Sequence, residues 1–245
     1  MTTVFGEVAA LYDDIRPGYP GALLDTIVAC HGGVPASVVD LGAGTGKATE
    51  LLLRLGAPIT CVEPDPRMAT VLAARFPQVR VETTAFECWT PPPGGVDLLA
   101  CATAWHWMDP QTRARSARDA LAPGGTVAIF HNRFEYADPA ARQAIDDVYR
   151  AVEGRSAPGR PVRFAHDDLV SSGLFDDVRA AEWHRYPEFT TAQYLQLTQT
   201  FAPFRQHPEP RREAILSGLS VALDGLGGRI TMDIRTALAI GRRPR

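Results

Sequence analysis

A glycine-rich turn followed by an acidic side chain is the feature of this sequence with the clearest capacity for chemistry. The apolar run from Val38 to Leu41 leads into a loop with glycine at positions 42, 44 and 46, and Glu63 ends the next apolar run. Glycine permits positive φ angles and lets the backbone approach a ligand closely. A carboxylate can accept hydrogen bonds from both hydroxyls of a ribose. A strand, a glycine turn, a helix and an acid in this order indicate a site for a nucleoside-containing cofactor.

The first half of the chain alternates short apolar runs with helical segments. Continuous apolar runs are typical of strands that helices cover on both faces. The alternation predicts parallel strands joined by crossover helices, in a doubly wound, Rossmann-like α/β sheet. The five predicted strands are Val38 to Leu41, Ile59 to Val62, Val79 to Glu82, Val96 to Cys101, and Thr126 to Phe130. The stretch Pro123-Gly124-Gly125 predicts a tight turn that ends a helix before the fifth strand.

The second half of the chain is less regular. Residues 179–186 and 229–241 alternate apolar with polar side chains, which predicts two half-exposed late strands. Helices are expected over residues 20–31, 47–55, 138–154 and 191–223. We therefore expect a seven-stranded sheet, mostly parallel with one antiparallel strand, in a single domain of residues 1–245. Residues 133–175 and 190–226 are predicted helical cap insertions that roof the carboxyl ends of the strands, where ligands bind in such sheets.

Composition argues against several classes of function. There are 25 Lys and Arg against 28 Asp and Glu, and a net charge of −3 matches neither a nucleic-acid-binding surface nor a polybasic membrane patch. No apolar run approaches the length of a membrane span. A start that carries Glu7, Asp13 and Asp14 lacks the order of a signal peptide. The four cysteines form no CxxC pair, so we expect reduced thiols and no metal site. We expect a cytoplasmic protein without nucleic-acid or membrane partners.

The two residues that follow the glycine turn, Lys47 and Ala48, help to distinguish the classes of cofactor. A dinucleotide-binding loop needs a small residue where Lys47 stands, so that the helix can pack on the strand. A P-loop needs Ser or Thr after its Gly-Lys pair, and this chain has Ala48 there. The spacing therefore disfavours both kinds of loop. Glu63 alone does not discriminate, because dinucleotide enzymes also bind ribose through an acid.

The stretch Asp40-Leu41-Gly42-Ala43-Gly44-Thr45-Gly46 resembles the first motif of class I S-adenosylmethionine-dependent methyltransferases, and the resemblance covers most of the chain. Glu63, followed by Pro64-Asp65, is similar to the acid that holds the ribose hydroxyls in that family. Asp40 is expected to orient the loop or to bind the methionyl ammonium. The resemblance implies S-adenosyl-L-methionine as the cofactor, bound by Asp40, Gly42, Ala43, Gly44, Thr45, Gly46, Glu63, Pro64, Met68, Ala85, Phe86, Glu87, Ala102 and Thr103.

Residues 5–20 carry a second resemblance, to the N-terminal arm of a methyltransferase subgroup that includes trans-aconitate-methyltransferase-like proteins. In that subgroup the arm, which corresponds here to residues 1–20, folds over the cofactor. The resemblance implies that Arg16 pairs with the methionyl carboxylate and that Tyr12 closes the cofactor pocket. Tyr19 is expected to border the acceptor.

A Trp-His-Trp segment follows the predicted fourth strand. Trp105 and Trp107 are expected to form apolar walls of the acceptor pocket. His106 is expected to act as a general base, because the ordinary pKa of imidazole suits proton removal near neutral pH. A structural role for His106, beside the helix that starts near Asp109, is the alternative. His131, at the end of the fifth strand, is expected to face the same pocket.

These features predict methyl transfer from the cofactor to an O, N or C atom of a small-molecule acceptor, by a monomer or homodimer that needs no metal. Positioning and exclusion of water can supply much of the catalysis, because the leaving group is a neutral thioether. Two alternatives stay open: a cyclase-type enzyme that binds the cofactor without methylating, and an NAD(P)-dependent oxidoreductase. A nucleic-acid or protein methyltransferase agrees less well with the charge.

Overall fold

A computed structural model describes residues 15–154 and 164–245. Tyr12 and the rest of residues 1–14 lie outside the described residues, as do residues 155–163. The chain divides into two compact units, each made of several separate stretches of sequence. Among the described residues, the sheet unit comprises residues 18–132, 164–183 and 236–245, and the helical unit comprises residues 15–17, 133–154 and 184–235. Most of the two predicted cap insertions falls in the helical unit.

The strands among the described residues form a sheet with a crossover in its order. They are β1 (Val38–Leu41), β2 (Ile59–Val62), β3 (Arg80–Glu82), β4 (Val96–Ala102), β5 (Leu121–Tyr136), β6 (Asp176–Arg185), β7 (Glu188–Thr190) and β8 (Arg229–Arg242). The order is β3-β2-β1-β4-β5-β8-β6, and β7 pairs with β8. The pairs among β1 to β5 are parallel, whereas β7 and β8 are antiparallel. The predicted doubly wound, mostly parallel sheet is confirmed, and the short β7 is an addition to the seven predicted strands.

The strand order places a topological switch point beside β1. The chain leaves β1 toward β2 and β3 on one side and returns to β4 and β5 on the other. In open α/β sheets, the crevice at the carboxyl ends of the strands at such a point receives the ligand. Residues 42–46 follow β1 and residues 103–107 follow β4, so both segments start at this crevice.

Local capping signals explain where several helices begin. The helices are α1 (Gly21–His31), α2 (Lys47–Leu52), α3 (Pro66–Arg75), α4 (Arg113–Ala120), α5 (Pro139–Glu153), α6 (Phe164–Ser172), α7 (Thr191–Gln199), α8 (Ala202–Arg205) and α9 (Glu209–Gly225). The Asp65 carboxylate caps α3 by accepting from the amide of Arg67, and Pro66 occupies the first helical position. Thr190 and Gln193 form a reciprocal capping box at the start of α7.

Each unit has an apolar core. All four residues of β1 are buried. Val39 and Leu41 belong to one core cluster and Val38 to another, as expected for alternate residues that face opposite sides of a sheet. Burial of both faces explains why the strand is a continuous apolar run. The helical unit has a separate core that includes Ile145 of α5 and Leu219 of α9.

The fifth strand is longer than predicted. It runs over Leu121–Tyr136 and includes Pro123-Gly124-Gly125, where the sequence predicts a turn. Leu121 already pairs with Val96 of β4, and the carbonyl of Gly125 accepts from the amide of Arg243 at 2.7 Å. Backbone partners on both sides therefore keep this glycine segment in the sheet. The predicted insertion of residues 133–175 begins as a strand, because β5 continues to Tyr136.

The described part of the chain contains no helix with both the length and the apolar character needed to span a membrane.

Candidate active site

Two close approaches fix the glycine turn after β1. Gly42 and Gly46 have φ angles of 64° and 94°, in the left-handed region that favours glycine. A Cβ on Gly42 would lie 2.4 Å from the Cβ of Ala104, in the loop after β4, and one on Gly46 would lie 2.5 Å from the ring of Phe76. The turn is therefore held between the loop after β4 and the end of α3, with no space for larger residues at these two positions.

Glu63 follows β2 and ties the glycine turn to that strand. The amide of Gly44 donates to Oε2 at 2.8 Å, and the amide of Asp65 donates to Oε1 at 2.9 Å. Burial raises the pKa of Glu63, and these two hydrogen bonds oppose the rise. Each carboxylate oxygen can accept more than one hydrogen bond. Both oxygens therefore keep the capacity to accept from a ligand hydroxyl.

Asp40 of β1 is fully buried. The hydroxyl of Thr49 in α2 donates to its Oδ2 at 2.7 Å, whereas Oδ1 has no hydrogen-bond partner in the described part of the chain. Burial raises the pKa of Asp40 to about 7; the hydrogen bond from Thr49 opposes this rise, and the negative charge of Glu63 adds to it. A buried carboxylate oxygen without a donor is unfavourable. A donor from a ligand, or from a water that a ligand orders, would satisfy it.

Thr103, directly after β4, has a strained backbone. Its φ of 57° lies in the left-handed region, which is rare for a β-branched residue and is concentrated at functional sites. Its amide donates to the carbonyl of Phe130 at 2.8 Å, and its hydroxyl lies 3.1 Å from the hydroxyl of Tyr19. The Tyr19 ring packs edge-on against Phe130 at 4.8 Å between centroids. Tyr19 thus contacts the predicted cofactor residue Thr103.

The Trp-His-Trp segment forms a 3-10 turn over Trp105–Trp107, and its two tryptophans differ in environment. Trp105 is buried, and its indole Nε1 donates to Asp168 of α6 at 2.7 Å. Arg113 donates to the same carboxylate at 2.8 Å and to the carbonyl of Trp105 at 3.0 Å. Trp107 is 52% exposed, with its ring centroid 4.6 Å from that of His106.

This arrangement makes Trp105 an anchor of the turn, and its predicted role as a wall of the acceptor pocket stays a prediction. His106 and Trp107 are the exposed members of the turn. Sequence analysis missed Asp168 and Arg113. Asp168 lies 63 positions from Trp105, and no local pattern links them.

The other predicted cofactor residues differ in burial. Ala43, Thr45, Met68 and Phe86 are buried, Ala85 and Ala102 are partly buried, and Pro64 and Glu87 are exposed. Arg75 at the end of α3 donates to the carbonyl of Thr45 at 2.8 Å. Together with the hydrogen bond between Gly44 and Glu63, this contact stabilises the glycine turn. The sequence pattern does not predict it.

Arg16 belongs to the helical unit. Its Nε donates to the hydroxyl of Thr200 at 2.9 Å and one terminal nitrogen donates to the Thr200 carbonyl at 3.0 Å. The guanidinium carbon lies 4.7 Å from the ring centroid of Phe201. The predicted pairing of Arg16 with the methionyl carboxylate stays a prediction.

A family model described as a methyltransferase domain matches residues 38–125. Residues 38–125 are similar to that family and are here called the methyltransferase domain. It includes the glycine turn, Glu63, Thr103 and the Trp-His-Trp turn. Tyr12, Arg16, Tyr19 and His131 lie outside it.

Relatives of the methyltransferase domain occur among bacterial proteins. An uncharacterized methyltransferase of Mycobacterium tuberculosis is 35% identical over 135 residues, which are 54% of this chain and 53% of that protein. A trans-aconitate 2-methyltransferase of Rhizobium meliloti is 37% identical over 93 residues, 37% of this chain and 36% of that protein. The chain thus spans about half the length of the mycobacterial relative.

The fold extends beyond the methyltransferase domain. A solved structure from Anaeromyxobacter dehalogenans, described as a "Putative Type II Methyltransferase", superposes with a TM-score of 0.69. The identity is 22%, and the superposition covers 94% of this chain and 99% of that chain. The likeness therefore includes strands and helices that follow residue 125.

His131, six positions beyond the methyltransferase domain, lines a cavity of about 210 Å³ in the sheet unit. The other ionisable lining residues are His166 of α6 and Glu182 of β6, and most of the remaining wall consists of alanine side chains. No sequence pattern groups these three residues, because they come from three elements. Across residues 15–154 and 164–245, no group of three or more His, Cys, Asp or Glu is arranged to hold a metal ion.

Proposed function

We propose that this protein transfers a methyl group from S-adenosyl-L-methionine to a small-molecule acceptor. The observation that carries the proposal is the pair of buried acids at the switch point of a methyltransferase domain. Glu63 is oriented by two backbone amides. Asp40 keeps one oxygen without a donor among the described residues.

The residues at the glycine turn fit the chemical groups of this cofactor. The oriented carboxylate of Glu63 suits the two ribose hydroxyls, and Asp40 suits the ammonium of the amino acid end, directly or through a water. Met68 and Phe86 are buried apolar side chains that suit the adenine. The cofactor has no phosphate, so no Lys or Arg is needed at the start of α2.

When bound, the cofactor supplies a methyl group activated by a sulfonium. The protein then has to hold that group in line with the acceptor and keep water out. Glu63 would hold the ribose of the cofactor, and Asp40 would hold its amino acid end. For an acceptor that loses a proton, His106 on its exposed turn is the proposed base.

The cavity that His131 lines, which does not include His106, is a second proposed place for the acceptor, for the case in which no base is needed from the exposed turn. Its volume of about 210 Å³ is below the roughly 300–1,000 Å³ of pockets for drug-sized ligands, which suits a small molecule. One relative is named a trans-aconitate 2-methyltransferase. Because an imidazole N–H can donate a hydrogen bond to a carboxylate, small carboxylic acids are the first acceptors to test beside His131 and His166.

Isothermal titration with S-adenosylhomocysteine and with NAD⁺ tests the cofactor assignment. We expect the first to bind and the second not to bind. Glu63→Ala should weaken binding of S-adenosylhomocysteine by about 1–3 kcal/mol, because charge-assisted hydrogen bonds to the ribose are lost. Asp119→Ala, which removes an exposed acid of α4 in the same unit, is the matched control and should leave the affinity unchanged.

Tighter binding of NAD⁺ would contradict the methyltransferase assignment. An unchanged affinity in a folded Glu63→Ala variant would contradict the role of Glu63. A cofactor-dependent methylation assay over small carboxylic acids, phenols and amines then separates methyl transfer from a cyclase-type activity, which would bind the cofactor and transfer no methyl group.

A further inference from the structure

Thr49 is the one residue of the described chain that hydrogen-bonds to the side chain of Asp40. Its hydroxyl has a single proton, and the 2.7 Å distance to Oδ2 shows where that proton points. The same hydroxyl oxygen lies 3.5 Å from the sulfur of Cys61. Because the hydroxyl proton goes to Asp40, the Cys61 thiol is the donor in that second contact.

The other titratable groups around Asp40 come from the neighbouring strands. Cys61 of β2 is opposite Asp40 in the strand register, and burial raises the pKa of its thiol to about 12. Burial also raises the pKa of Cys101 in β4 far above its ordinary value. Both thiols therefore stay neutral near pH 7. Glu63 is the remaining group, and its negative charge disfavours a second charge on Asp40.

We propose that Thr49 is a positioning residue for cofactor binding: its hydroxyl holds Oδ2 of Asp40 and leaves Oδ1 to the amino acid end of the cofactor. This inference rests on the proposed function. One donor on one oxygen fixes the rotamer of the carboxylate and partly offsets its charge. The other oxygen, which has no donor among the described residues, is then the acceptor of Asp40 that a cofactor ammonium, or a water bonded to it, can use.

The position of Thr49 also predicts how cofactor affinity depends on pH. An ammonium favours the ionised carboxylate, so affinity should rise as the pH increases through the pKa of Asp40, which is about 7. The hydrogen bond from Thr49 lowers that pKa. Loss of the hydroxyl should therefore move the rise in affinity to higher pH.

The test compares two ligands that differ only at the amino acid end. S-adenosylhomocysteine carries the ammonium, whereas 5′-methylthioadenosine keeps the adenosine and thioether and lacks the amino acid. Thr49→Val preserves the shape of the side chain and should weaken binding of S-adenosylhomocysteine roughly tenfold at pH 7, the loss expected for one charge-assisted hydrogen bond. The Thr49→Val variant should bind 5′-methylthioadenosine with the same affinity as the unmodified protein. Thr49→Ser should restore both the affinity and the pH profile.

Thr126→Val is the matched control. Thr126 is also fully buried and its hydroxyl lies 3.0 Å from Nδ1 of His31, so its loss changes stability without touching Asp40. It should leave the pH profile of S-adenosylhomocysteine binding unchanged. Asp40→Asn should abolish that pH dependence.

Three results would overturn the inference. If Thr49→Val keeps the affinity and pH profile for S-adenosylhomocysteine, Thr49 does not position Asp40. If Thr49→Val weakens the binding of 5′-methylthioadenosine as much as that of S-adenosylhomocysteine, Thr49 supports the whole pocket and not Asp40 in particular. If the unmodified protein binds 5′-methylthioadenosine and S-adenosylhomocysteine with equal affinity and no pH dependence, Asp40 does not serve the amino acid end. Failure of the unmodified protein to bind either nucleoside would instead contradict the proposed function.

Discussion

The glycine-turn edge of the sheet unit and the interior of the helical unit both bury polar side chains, but they satisfy them differently. In the helical unit, the hydroxyls of Tyr136 and Tyr194 lie 2.7 Å apart. Nε2 of His207 donates to the nearly buried Glu153 at 2.8 Å. In the sheet unit, one oxygen of Asp40 accepts from Thr49 and the other has no donor within the described residues.

This difference determines whether each polar group stabilises or destabilises the ligand-free protein. Removing one partner of a buried polar pair destabilises the protein, because the other partner is left without a hydrogen bond. A buried carboxylate with an unused oxygen destabilises the ligand-free protein. Such a group is useful where a ligand completes it, which is the usual compromise between stability and activity. The two tyrosines and the Glu153–His207 pair therefore fit a structural role, whereas the unused oxygen of Asp40 fits the binding role proposed for it.

Asp40→Asn tests the comparison with the largest expected effect. The pKa of Asp40 is about 7 in the folded protein against an ordinary value of 3.8, so the folded state binds more protons than the unfolded state between these values. Stability therefore falls as the pH rises through this window. At pH 8 the amide should raise the free energy of unfolding of the ligand-free protein by about 1–4 kcal/mol. Urea unfolding at pH 5 and pH 8 measures it.

The gain from Asp40→Asn should shrink toward pH 4, where the carboxyl of the folded protein is protonated and therefore uncharged like the amide. S-adenosylhomocysteine should stabilise the variant less than it stabilises the unmodified protein. A variant that is less stable at pH 8 would show that Asp40 is a structural acid like Glu153, and the contrast between the two regions would be lost.

Glu153→Ala tests the other half of the comparison and should change stability in the opposite direction. It removes the acceptor of His207, and the free energy of unfolding should fall by about 2 kcal/mol because the imidazole is left largely buried without its partner. Thermal unfolding of Glu153→Ala, His207→Ala and the double variant gives the coupling energy. If the two single losses simply add, the pair is not coupled and the helical unit does not rely on it.

The two regions also differ in how far their sequence predicts them. β1 and β2 have the predicted bounds because strands covered on both faces are continuous apolar runs that turn residues delimit. The extension of β5 depends on the backbone bond between Gly125 and Arg243, and the antiparallel pairing of β7 with β8 joins residues about forty positions apart. The backbone pairing of Gly125 with the distant Arg243 outweighs the local tendency of Pro123-Gly124-Gly125 to form a turn.

The candidate site shows the same division. The glycine turn and Glu63 form a compact local motif, so their types and spacing predict them. Arg75 and Asp168 act through contacts 30 and 63 positions away, with Thr45 and Trp105 respectively. From the sequence, Trp105 and Trp107 have the same predicted role. Tertiary packing distinguishes them, because Trp105 is buried and Trp107 is exposed.

The tyrosine pair tests the same comparison with the smallest expected effect, because its two side chains are not equally buried. Tyr194 is 3% exposed, whereas Tyr136 is partly exposed. Tyr136→Phe should therefore destabilise the protein by about 1–2 kcal/mol, since it leaves the buried hydroxyl of Tyr194 without this partner. Tyr194→Phe should cost less, about 0.5–1 kcal/mol, because the remaining hydroxyl can reach water. The double Phe variant should be no less stable than Tyr136→Phe, since no orphaned hydroxyl remains. Equal losses in the single variants that add in the double variant, measured by urea unfolding, would mean that the hydroxyls do not depend on each other and that pairing is not what stabilises polar groups in the helical unit.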